Sequence, residues 1–454
     1  MAATEPLYTA EDMRAAEARY PGYPDTVPEL MERAGGRAAE LALSLWPDAQ
    51  RWTLVCGGGS NGGDGRVMAE RLVAAGREAK VVDAKASEHE LGEPDVIVDA
   101  LFGTGFSGEP RADAAALIEA MNAASAPVFA IDLPSGVDAS TGEVAGAAVR
   151  ADATVTFHGT KVGLAVAPGR FHAGDVHVAD IGLEPVATET SLVTRAIVDE
   201  VPRRGRGDNK YTAGHVLVVG GSRGMTGAAA LSARAALRAD AGYVTIAAPA
   251  ESLPVLEALV LEAVKRPLEQ AFEAAARANA LALGPGLGRD PKAKELVRRL
   301  LAEVELPAVV DADALFELEP GDWPAPRVLT PHEGELGRLL GRDSKEIAAH
   351  RLASVREAAE RFRAVVVLKG EDTLVAAPGA GVLVVALGLP SLATAGTGDV
   401  LTGITGAFLA KGMEPQRAAA AAAAVQQLAA HAAPQRAGLV AGDLIDALPR
   451  VLGV

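Results

Sequence analysis

Two glycine-rich segments of this chain bring polar side chains to the start of a predicted helix. Residues 57–65 read GGGSNGGDG and residues 395–399 read AGTGD. Glycines allow the tight turn that points the first amides of the following helix at one spot, where they can bind a phosphate. In the second segment Asp399 falls in the first helical turn, where a carboxylate can accept a proton from an attacking hydroxyl group. This pattern indicates phosphoryl transfer, with Asp399 as the catalytic base.

The first segment fits the G-x-G-x-x-G pattern of dinucleotide-binding folds, and Asp83 follows at about the distance of a ribose-binding acid. An NAD-binding Rossmann site is therefore one interpretation. Against it, Asp64 stands at the start of the helix, where its charge would repel a pyrophosphate. The chain has no G-x-x-x-x-G-K-[ST] segment, so its sequence excludes a P-loop enzyme.

Other polar residues of the first half recur at the ends of predicted strands. Asp99 and Asp132 each come at the end of an apolar run, and Ser135 follows closely. The carboxyl ends of parallel strands line one crevice, which is where ligands bind in such sheets. Oxygen atoms of Asn, Asp and Ser suit a hard cation, and a nearby carboxylate can transfer protons. Turn formation alone would explain any one of these polar residues at a strand end. A ligand-binding site explains why they recur at several strand ends.

Short apolar runs alternate with alanine-rich helical stretches along the chain, which predicts the α/β class with parallel sheets covered on both faces. A polar connection between about residues 186 and 209 interrupts the alternation. We therefore predict two three-layer α/β/α domains, at residues 1–205 and 206–454. The predicted strands are residues 53–56, 79–82, 96–100, 128–132, 154–157, 216–219, 243–247, 281–284, 308–311, 328–330, 365–369 and 382–385.

The composition of the chain limits the kinds of molecule that it is expected to bind. The 454 residues carry a formal net charge of -16, which argues against nucleic acid and anionic membranes and favours small-molecule substrates. The single cysteine, Cys56, lies in an apolar run and is expected to be a buried strand residue rather than a nucleophile. The first residues have no basic segment followed by an apolar one, and we expect a cytoplasmic protein.

Three segments of the first half, CGGGSNGGDG (56–65), DALFGTG (99–105) and IDLPSGVD (131–138), together resemble the NAD(P)HX epimerase, or YjeF N-terminal, domain. The resemblance implies a Rossmann-like fold, with Asp132 near the reacting carbon as a catalytic residue. Ser60 stands where the family commonly has Asn, and Lys161 resembles a family lysine. It also implies a potassium ion held by Asn61, Asp99 and Ser135. The residues implied to hold the hydrated dinucleotide are Ser60, Asn61, Gly62, Gly63, Asp64, Gly103, Thr104, Gly105, Phe106, Ser107, Gly108, Glu109 and Asp132.

The second half resembles the ADP-dependent NAD(P)HX dehydratase domain of the ribokinase-like superfamily. The resemblance rests on residues 395–399 together with NKYTAGHVLVVGGS (209–222), GPGLG (284–288), DADA (311–314), TPHEGEL (330–336) and KGEDT (369–373). It implies that Gly286, His332 and Asp399 face the hydrated substrate. The phosphate donor would need Mg²⁺, for which Glu333 and Glu335 are candidate ligands. The residues implied to hold the nucleotide are Lys369, Gly370, Glu371, Asp372, Thr373 and Gly398.

Taken together, the resemblances imply an enzyme that repairs hydrated NADH and NADPH, acting as a homo-oligomer. Its first half would interconvert the R and S epimers, and its second would dehydrate the S epimer at the expense of ADP, giving AMP and phosphate, or of ATP. Two alternatives stay open at this point. The second half could be a small-molecule kinase of the ribokinase type, and the first half could be a non-catalytic dinucleotide-binding module.

Overall fold

The computed structural model describes residues 2–85, 90–435 and 437–453. Its contacts divide the chain into two compact units. One comprises residues 6–190, and the other comprises residues 191–453 together with residues 2–5. The predicted limits of the two catalytic domains, 1–205 and 206–454, stay a prediction.

The first 193 residues contain the whole of the first sheet. Among the described residues this sheet has six strands in the order β3-β2-β4-β5-β6-β7, all parallel, as the sequence predicts. The elements are β1 (Thr4–Leu7), α1 (Ala10–Ala18), α2 (Val27–Leu45), β2 (Arg51–Cys56), α3 (Ser60–Ala74), β3 (Glu78–Asp83), β4 (Val96–Ala100), α4 (Ala112–Ala123), β5 (Val128–Ile131), β6 (Ala153–Phe157), α5 (Val162–Ala165), β7 (Asp175–Ala179) and β8 (Thr190–Val193).

The rest of the chain builds a larger sheet. Its elements are β9 (His215–Val219), α6 (Thr226–Arg238), β10 (Tyr243–Ala248), α7 (Leu253–Leu259), β11 (Val264–Pro267), α8 (Ala271–Ala275), β12 (Ala280–Leu283), α9 (Pro291–Glu303), β13 (Ala308–Val310), β14 (Arg327–Leu329), α10 (Glu333–Leu340), α11 (Ser344–Ala349), α12 (Arg351–Phe362), β15 (Val365–Leu368), β16 (Thr373–Ala376), β17 (Val382–Val385), α13 (Thr397–Ala410), α14 (Pro415–Ala432) and α15 (Ala441–Leu452). The strand order is β1-β8-β17-β16-β15-β14-β13-β12-β9-β10-β11.

Close helix packing fixes the start of α13, which carries Asp399. A side chain at Gly403 would collide with the carbonyl of Ser232, so α13 and α6 approach each other closely only because this position is glycine. The alanine run 418–424 of α14 is also buried in the core of this unit. In the described part of the chain, no helix combines the length and the hydrophobicity that crossing a membrane requires.

The structure departs from the predicted strands in a few places. The strands β1, β7, β8, β11 and β16 were not predicted, and β16 pairs antiparallel with both β15 and β17. The strand predicted at residues 128–132 ends at Ile131, because Asp132 turns the chain with a φ of 69°. Cys56 ends β2 and is fully buried, as predicted, and burial raises the pKa of its thiol to about 11.

Candidate active sites

A cavity of about 600 Å³ opens at the carboxyl edge of the six-stranded sheet. It lies where β2, β4 and β5 end, as expected for a ligand site in a parallel sheet. Helix α1 supplies a further wall through Met13, Arg14 and Glu17. The predicted dinucleotide-binding residues that line the cavity are Ser60, Asn61, Asp64, Gly103, Thr104, Gly105, Phe106 and Asp132.

The other predicted residues of this group do not line the cavity. Gly62 is needed for the turn, since a side chain there would collide with the carbonyl of Gly57. A side chain at Gly63 would collide with Met31. Beyond Phe106 the loop runs into solvent, and its three remaining residues are exposed: Ser107, Gly108 and Glu109. Their predicted ligand contacts stay predictions.

An ion pair between Asp132 and Lys161 is the central polar contact of this cavity. The Nζ atom of Lys161 lies 2.7 Å from Oδ1 of Asp132, and the lysine side chain is 0% exposed. The same nitrogen donates to Oγ1 of Thr156 at 2.9 Å and to the carbonyl of Phe157 at 2.8 Å. The second carboxylate oxygen of Asp132 accepts from the amide of Thr104 at 3.2 Å. These partners hold Asp132 in one orientation, with a cation beside it.

Two further carboxyl groups face Asp132. Burial, and then the charges of Asp132 and Glu17, raise the pKa of Asp64 well above its usual value. Burial, and then Asp132, also raise the pKa of Glu17, although Lys161 and Arg14 oppose the shift. Carboxyl groups with raised pKa values, beside a further carboxyl group in the same cavity, are suited to acid–base catalysis.

The predicted cation ligands meet directly beneath the cavity, around Phe102. Asp99 is fully buried and accepts from the amide of Ser135 at 2.7 Å and from its hydroxyl at 2.6 Å. Burial raises the pKa of Asp99 to about 6, against the effect of these bonds. The amide of Phe102 donates to Oγ of Ser135 at 2.8 Å, and its carbonyl accepts from Nδ2 of Asn61 at 2.8 Å. Among the described residues, Oδ1 of Asn61 is buried without a hydrogen-bond partner.

A second cavity, of about 700 Å³, lies in the other unit, between α13 and the ends of β13 and β15. Of the residues predicted to bind nucleotide or substrate, two do not line it: Gly286 and Asp372. Gly286 accepts two hydrogen bonds from Ser222 in a neighbouring loop, and Asp372 is buried against Arg351. The predicted residues that line the cavity are His332, Lys369, Gly370, Glu371, Thr373, Gly398 and Asp399.

The first turn of α13 faces this cavity, and its amides have no side-chain cap. Gly396 precedes the helix with a φ of 89°, a backbone conformation that favours glycine, and no side chain caps the helix. Uncapped amides and the helix dipole attract anions, so phosphate charge can bind here in spite of the negative charge of the chain. Because residue 398 is glycine, no side chain fills the space next to Lys369. A Cβ added at Gly398 would lie 3.5 Å from the Nζ atom of Lys369.

Asp399 lies beside an ion pair without joining it. Lys369 contacts Oδ1 of Asp311 at 2.9 Å, and Thr402 donates to the other oxygen of Asp311 at 2.8 Å. Among the described residues, no cation lies within ion-pair distance of Asp399. Burial, and then the charge of Asp311, raise the pKa of Asp399 to about 7, although Lys369 opposes the shift. Burial lowers the pKa of Lys369, but Asp311 and Glu335 raise it overall.

His332 caps α10 as well as lining the cavity. Its Nδ1 accepts from the amides of Gly334 at 3.0 Å and Glu335 at 3.3 Å, and Glu335 in turn accepts from the amide of His332 at 2.9 Å. Nε2 is therefore left to carry the proton. Glu333 pairs with Arg351 at 2.5 Å, and Glu335 lies 3.6 Å from Lys369. Both candidate magnesium ligands thus already contact a cation.

Arg351 was not predicted, yet it holds the predicted nucleotide loop in place. It is 3% exposed and donates to the carbonyl of Asp372 at 3.0 Å, while its other nitrogens reach the carboxylates of Asp372 and Glu333. A side chain at Gly370 would collide with it. Asp311 and Glu17 were likewise absent from the predicted site residues, although Asp311 directly follows a strand as Asp132 does.

Family models and relatives match both halves. The model described as NAD(P)H-hydrate dehydratase matches residues 216–450, and the one described as YjeF-related protein N-terminus matches residues 27–90 and 81–163. A bifunctional NAD(P)H-hydrate repair enzyme Nnr of Moorella thermoacetica is 38% identical, over 93% of this chain and 92% of its own. The protein of the same name from Escherichia coli (strain K12) is 34% identical, over 94% of this chain and 90% of its own.

A solved structure matches the second half. The ADP/ATP-dependent NAD(P)H-hydrate dehydratase of Bacillus subtilis, co-crystallized with ATP/Mg²⁺, is 30% identical with a TM-score of 0.54, covering 57% of this chain and 96% of that one. The second half is thus a ribokinase-like dehydratase domain, and the first half is a YjeF N-terminal domain. The chain belongs to the family of bifunctional NAD(P)H-hydrate repair enzymes. These relatives give no support to a small-molecule kinase joined to a non-catalytic module.

Proposed function

We propose that the chain repairs hydrated NADH and NADPH in two consecutive steps. The first unit interconverts the R and S epimers of the hydrate. The second dehydrates the S epimer with ADP, which gives AMP and phosphate, or with ATP. The observation that carries this proposal is that each half of one repair-family chain has its own cavity with an acidic residue in position, Asp132 in the first and Asp399 in the second.

The second cavity suits phosphoryl transfer to the hydroxyl group of the hydrate. Hydroxide is a poor leaving group, and phosphate is a good one. Asp399 takes the hydroxyl proton as the oxygen forms its bond to the terminal phosphorus of the nucleotide, while the bond from that phosphorus to the rest of the nucleotide breaks and AMP leaves (ADP, where ATP is the donor). The amides at the start of α13 stabilise the charge that develops on the phosphoryl oxygens. The lone pair of the ring nitrogen then expels phosphate, and loss of a proton from the neighbouring carbon restores the dihydropyridine. A base with a pKa of about 7 is well matched to neutral pH.

Magnesium would enter this cavity with the nucleotide. Among the described residues no group of three or more His, Cys, Asp or Glu side chains is placed to hold a metal ion. Mg²⁺ would therefore depend largely on phosphate oxygens and water for its ligands. Lys369, beside Gly398, can contribute charge to the same phosphates.

A potassium ion fits the first unit. The fit rests on the buried Oδ1 of Asn61, which lacks a partner among the described residues. Asn61 and Ser135 both hydrogen-bond to the backbone of Phe102, and Ser135 in turn donates to the carboxylate of Asp99. Oxygen atoms of this kind suit a hard cation. The ion would hold the loop after β4 in place at the cavity wall. We expect N61A to raise the potassium concentration for half-maximal epimerisation about tenfold, while dehydration of the pure S epimer is unaffected.

The chain is expected to act in the cytoplasm, where its nucleotide substrates are held, and as a homo-oligomer. Support for self-association comes from exposed apolar side chains at the end of α7, where Leu261 is 81% exposed and Val255 and Leu259 are exposed beside it. Light scattering with L261D, which would separate the copies if this patch joins them, tests the second expectation.

The decisive assay supplies each purified epimer of hydrated NADH, with and without ADP, and follows the recovery of dihydronicotinamide absorbance. We expect the S epimer to be consumed at once and the R epimer to be consumed only when the first unit is active, both only with nucleotide present. A stable phosphorylated small-molecule product, with no recovery of NADH, would instead show a kinase.

A further inference from the structure

Epimerisation places a demand that one carboxylate cannot meet. The hydroxyl group leaves one face of the ring carbon and returns on the other face, so that a proton must be given on one side and taken on the other. Asp132 contacts the cavity from the edge of the sheet, at the end of β5. A second proton-transfer group must come from another wall.

Helix α1 provides such a wall, and its position is tied to the lysine that pairs with Asp132. The residue ahead of the helix, Tyr8, forms backbone hydrogen bonds with the segment that carries Lys161, at 2.9 Å to the carbonyl of Thr160 and at 3.0 Å from the amide of Val162. The amide of Ala10 donates to Ser140 at 3.0 Å. The start of α1 therefore cannot slide relative to Lys161.

The spacing of residues on α1 directs Glu17 to the cavity. Thr9 and Asp12 form a capping box that fixes the first turn. Met13 is buried, and Glu17 lies four residues later on the same face, where both line the cavity. Among the described residues, no side-chain hydrogen bond or ion pair engages the Glu17 carboxyl group. It is half-buried, in contrast to the paired carboxylates elsewhere on this surface, such as Glu29 with Arg33 at 2.6 Å.

We propose that Glu17 is a catalytic acid–base residue of the first unit, acting from helix α1 while Asp132 acts from the sheet edge. The inference rests on the proposed epimerase function and extends it. In one direction, protonated Glu17 gives its proton to the departing hydroxyl group. The C–O bond breaks, its electron pair leaves with water, and the lone pair of the ring nitrogen forms a C=N bond. Water then adds to the opposite face, and ionised Asp132 takes its proton.

The charges around Glu17 suit the acid role. They are Arg14 on its own helix, Asp64 at the start of α3, Asp132 after β5 and Lys161 before α5. Burial and the Asp132 carboxylate favour the protonated form of Glu17, which raises its pKa. After each turnover the proton returns from Asp132 to Glu17 through water, and the reverse reaction uses the same two groups with their roles exchanged.

The test uses the full chain and R-hydrated NADH with ADP, in the variants E17Q, E17D and E11Q. Because Glu11 is exposed on the same helix, E11Q is the matched control for charge. We expect E17Q to lower kcat for epimerisation about 10²–10⁴-fold with little change in KM. E17D, which keeps the carboxyl group, should recover at least a tenth of the wild-type rate, and E11Q all of it. The wild-type rate should fall as the pH rises through the raised pKa of Glu17, and this fall should be absent in E17Q.

Three outcomes separate the claims. If wild type fails to interconvert the epimers above the uncatalysed rate, the epimerase function itself is wrong. If wild type is active and E17Q keeps its rate, or if E17D is as inactive as E17Q with an unchanged melting temperature, the role of Glu17 is wrong. If E17Q is active and D64N is not, Asp64 is the second proton-transfer group. Dehydration of the pure S epimer, expected to be equal in all variants, reports on the integrity of the second unit.

Discussion

The two cavities each place a lysine among carboxylates, but the lysine takes a different partner in each. In the first unit Lys161 contacts Asp132, the carboxylate proposed to act on the substrate, at 2.7 Å. In the second unit Lys369 contacts Asp311 at 2.9 Å, and Asp399 is left beside the pair. Burial, and then the charge of Asp311, raise the pKa of Asp399 to about 7. The comparison shows that the lysine has a different partner in each unit: the proposed reactive carboxylate is itself part of the ion pair in the first, and lies outside the pair with a raised pKa in the second.

The largest effect should follow from removing the unpaired carboxylate. We expect D399N to lower kcat for dehydration of the S epimer about 10²–10⁴-fold, because the hydroxyl proton loses its acceptor. Epimerisation should be unchanged. Stopped assays of both steps on the same preparation measure the two rates. The control variant is D446N, because Asp446 is exposed on α15. Turnover of the S epimer by D399N at the wild-type rate would remove Asp399 from the mechanism.

The next effect tests the paired carboxylate. K161M should lower epimerisation about 100-fold and, because it breaks a buried ion pair, destabilise the chain by about 3 kcal/mol in urea unfolding. The double variant K161M/D132N should regain part of that stability, since no unpaired charge remains. K80M, on the exposed edge strand β3, is the control. Equal stability of K161M and wild type would show that the pair does not hold the site.

A smaller effect is expected at the loop that carries Lys369. Arg351 donates to this loop through a fork of nitrogens that lysine cannot reproduce. We expect R351K to raise the KM for ADP about tenfold with a smaller change in kcat. R361K, exposed on the same helix, should leave both constants unchanged. A loss confined to kcat would place Arg351 in the chemical step instead.

The smallest effect is a displaced pH profile. Dehydration needs the ionised form of Asp399, so its rate should rise with pH through about 7 in the wild type. The charge of Asp311 raises this pKa, so D311N should shift the midpoint about one unit towards lower pH. D313N should give a smaller shift in the same direction, because its contribution is the weaker one. A midpoint that stays in place in D311N would show that Asp311 does not act on Asp399.

Many residues of the two cavities could be predicted from the sequence around them. Glycine loops and acids at strand ends lead to Asn61, Asp132 and Asp399, because each depends only on residues close to it in the chain. The partners of those acids could not be found in the same way. Asp311 and Lys369 are 58 residues apart, and nothing in either segment records that their side chains meet.

The missed elements have a similar cause. The edge strand β11 reads VKRP, and β1 reads TEPL, so that neither shows the apolar run on which strand prediction relies. Both are held by a neighbouring strand rather than by their own sequence. Glu17 lies on helix α1, and only the packing of α1 beside the Lys161 segment shows that its side chain belongs to the cavity.

The most direct test of the comparison is the ionisation of Asp399 itself. In a chain labelled with ¹³C at its aspartate carboxyl groups, the Asp399 resonance can be assigned by its loss in D399N and followed from acid to alkaline pH. We predict a titration with a midpoint near 7. A midpoint near 4, the ordinary value for aspartate, would contradict the claim that leaving this carboxylate outside the lysine pair prepares it to act as a base.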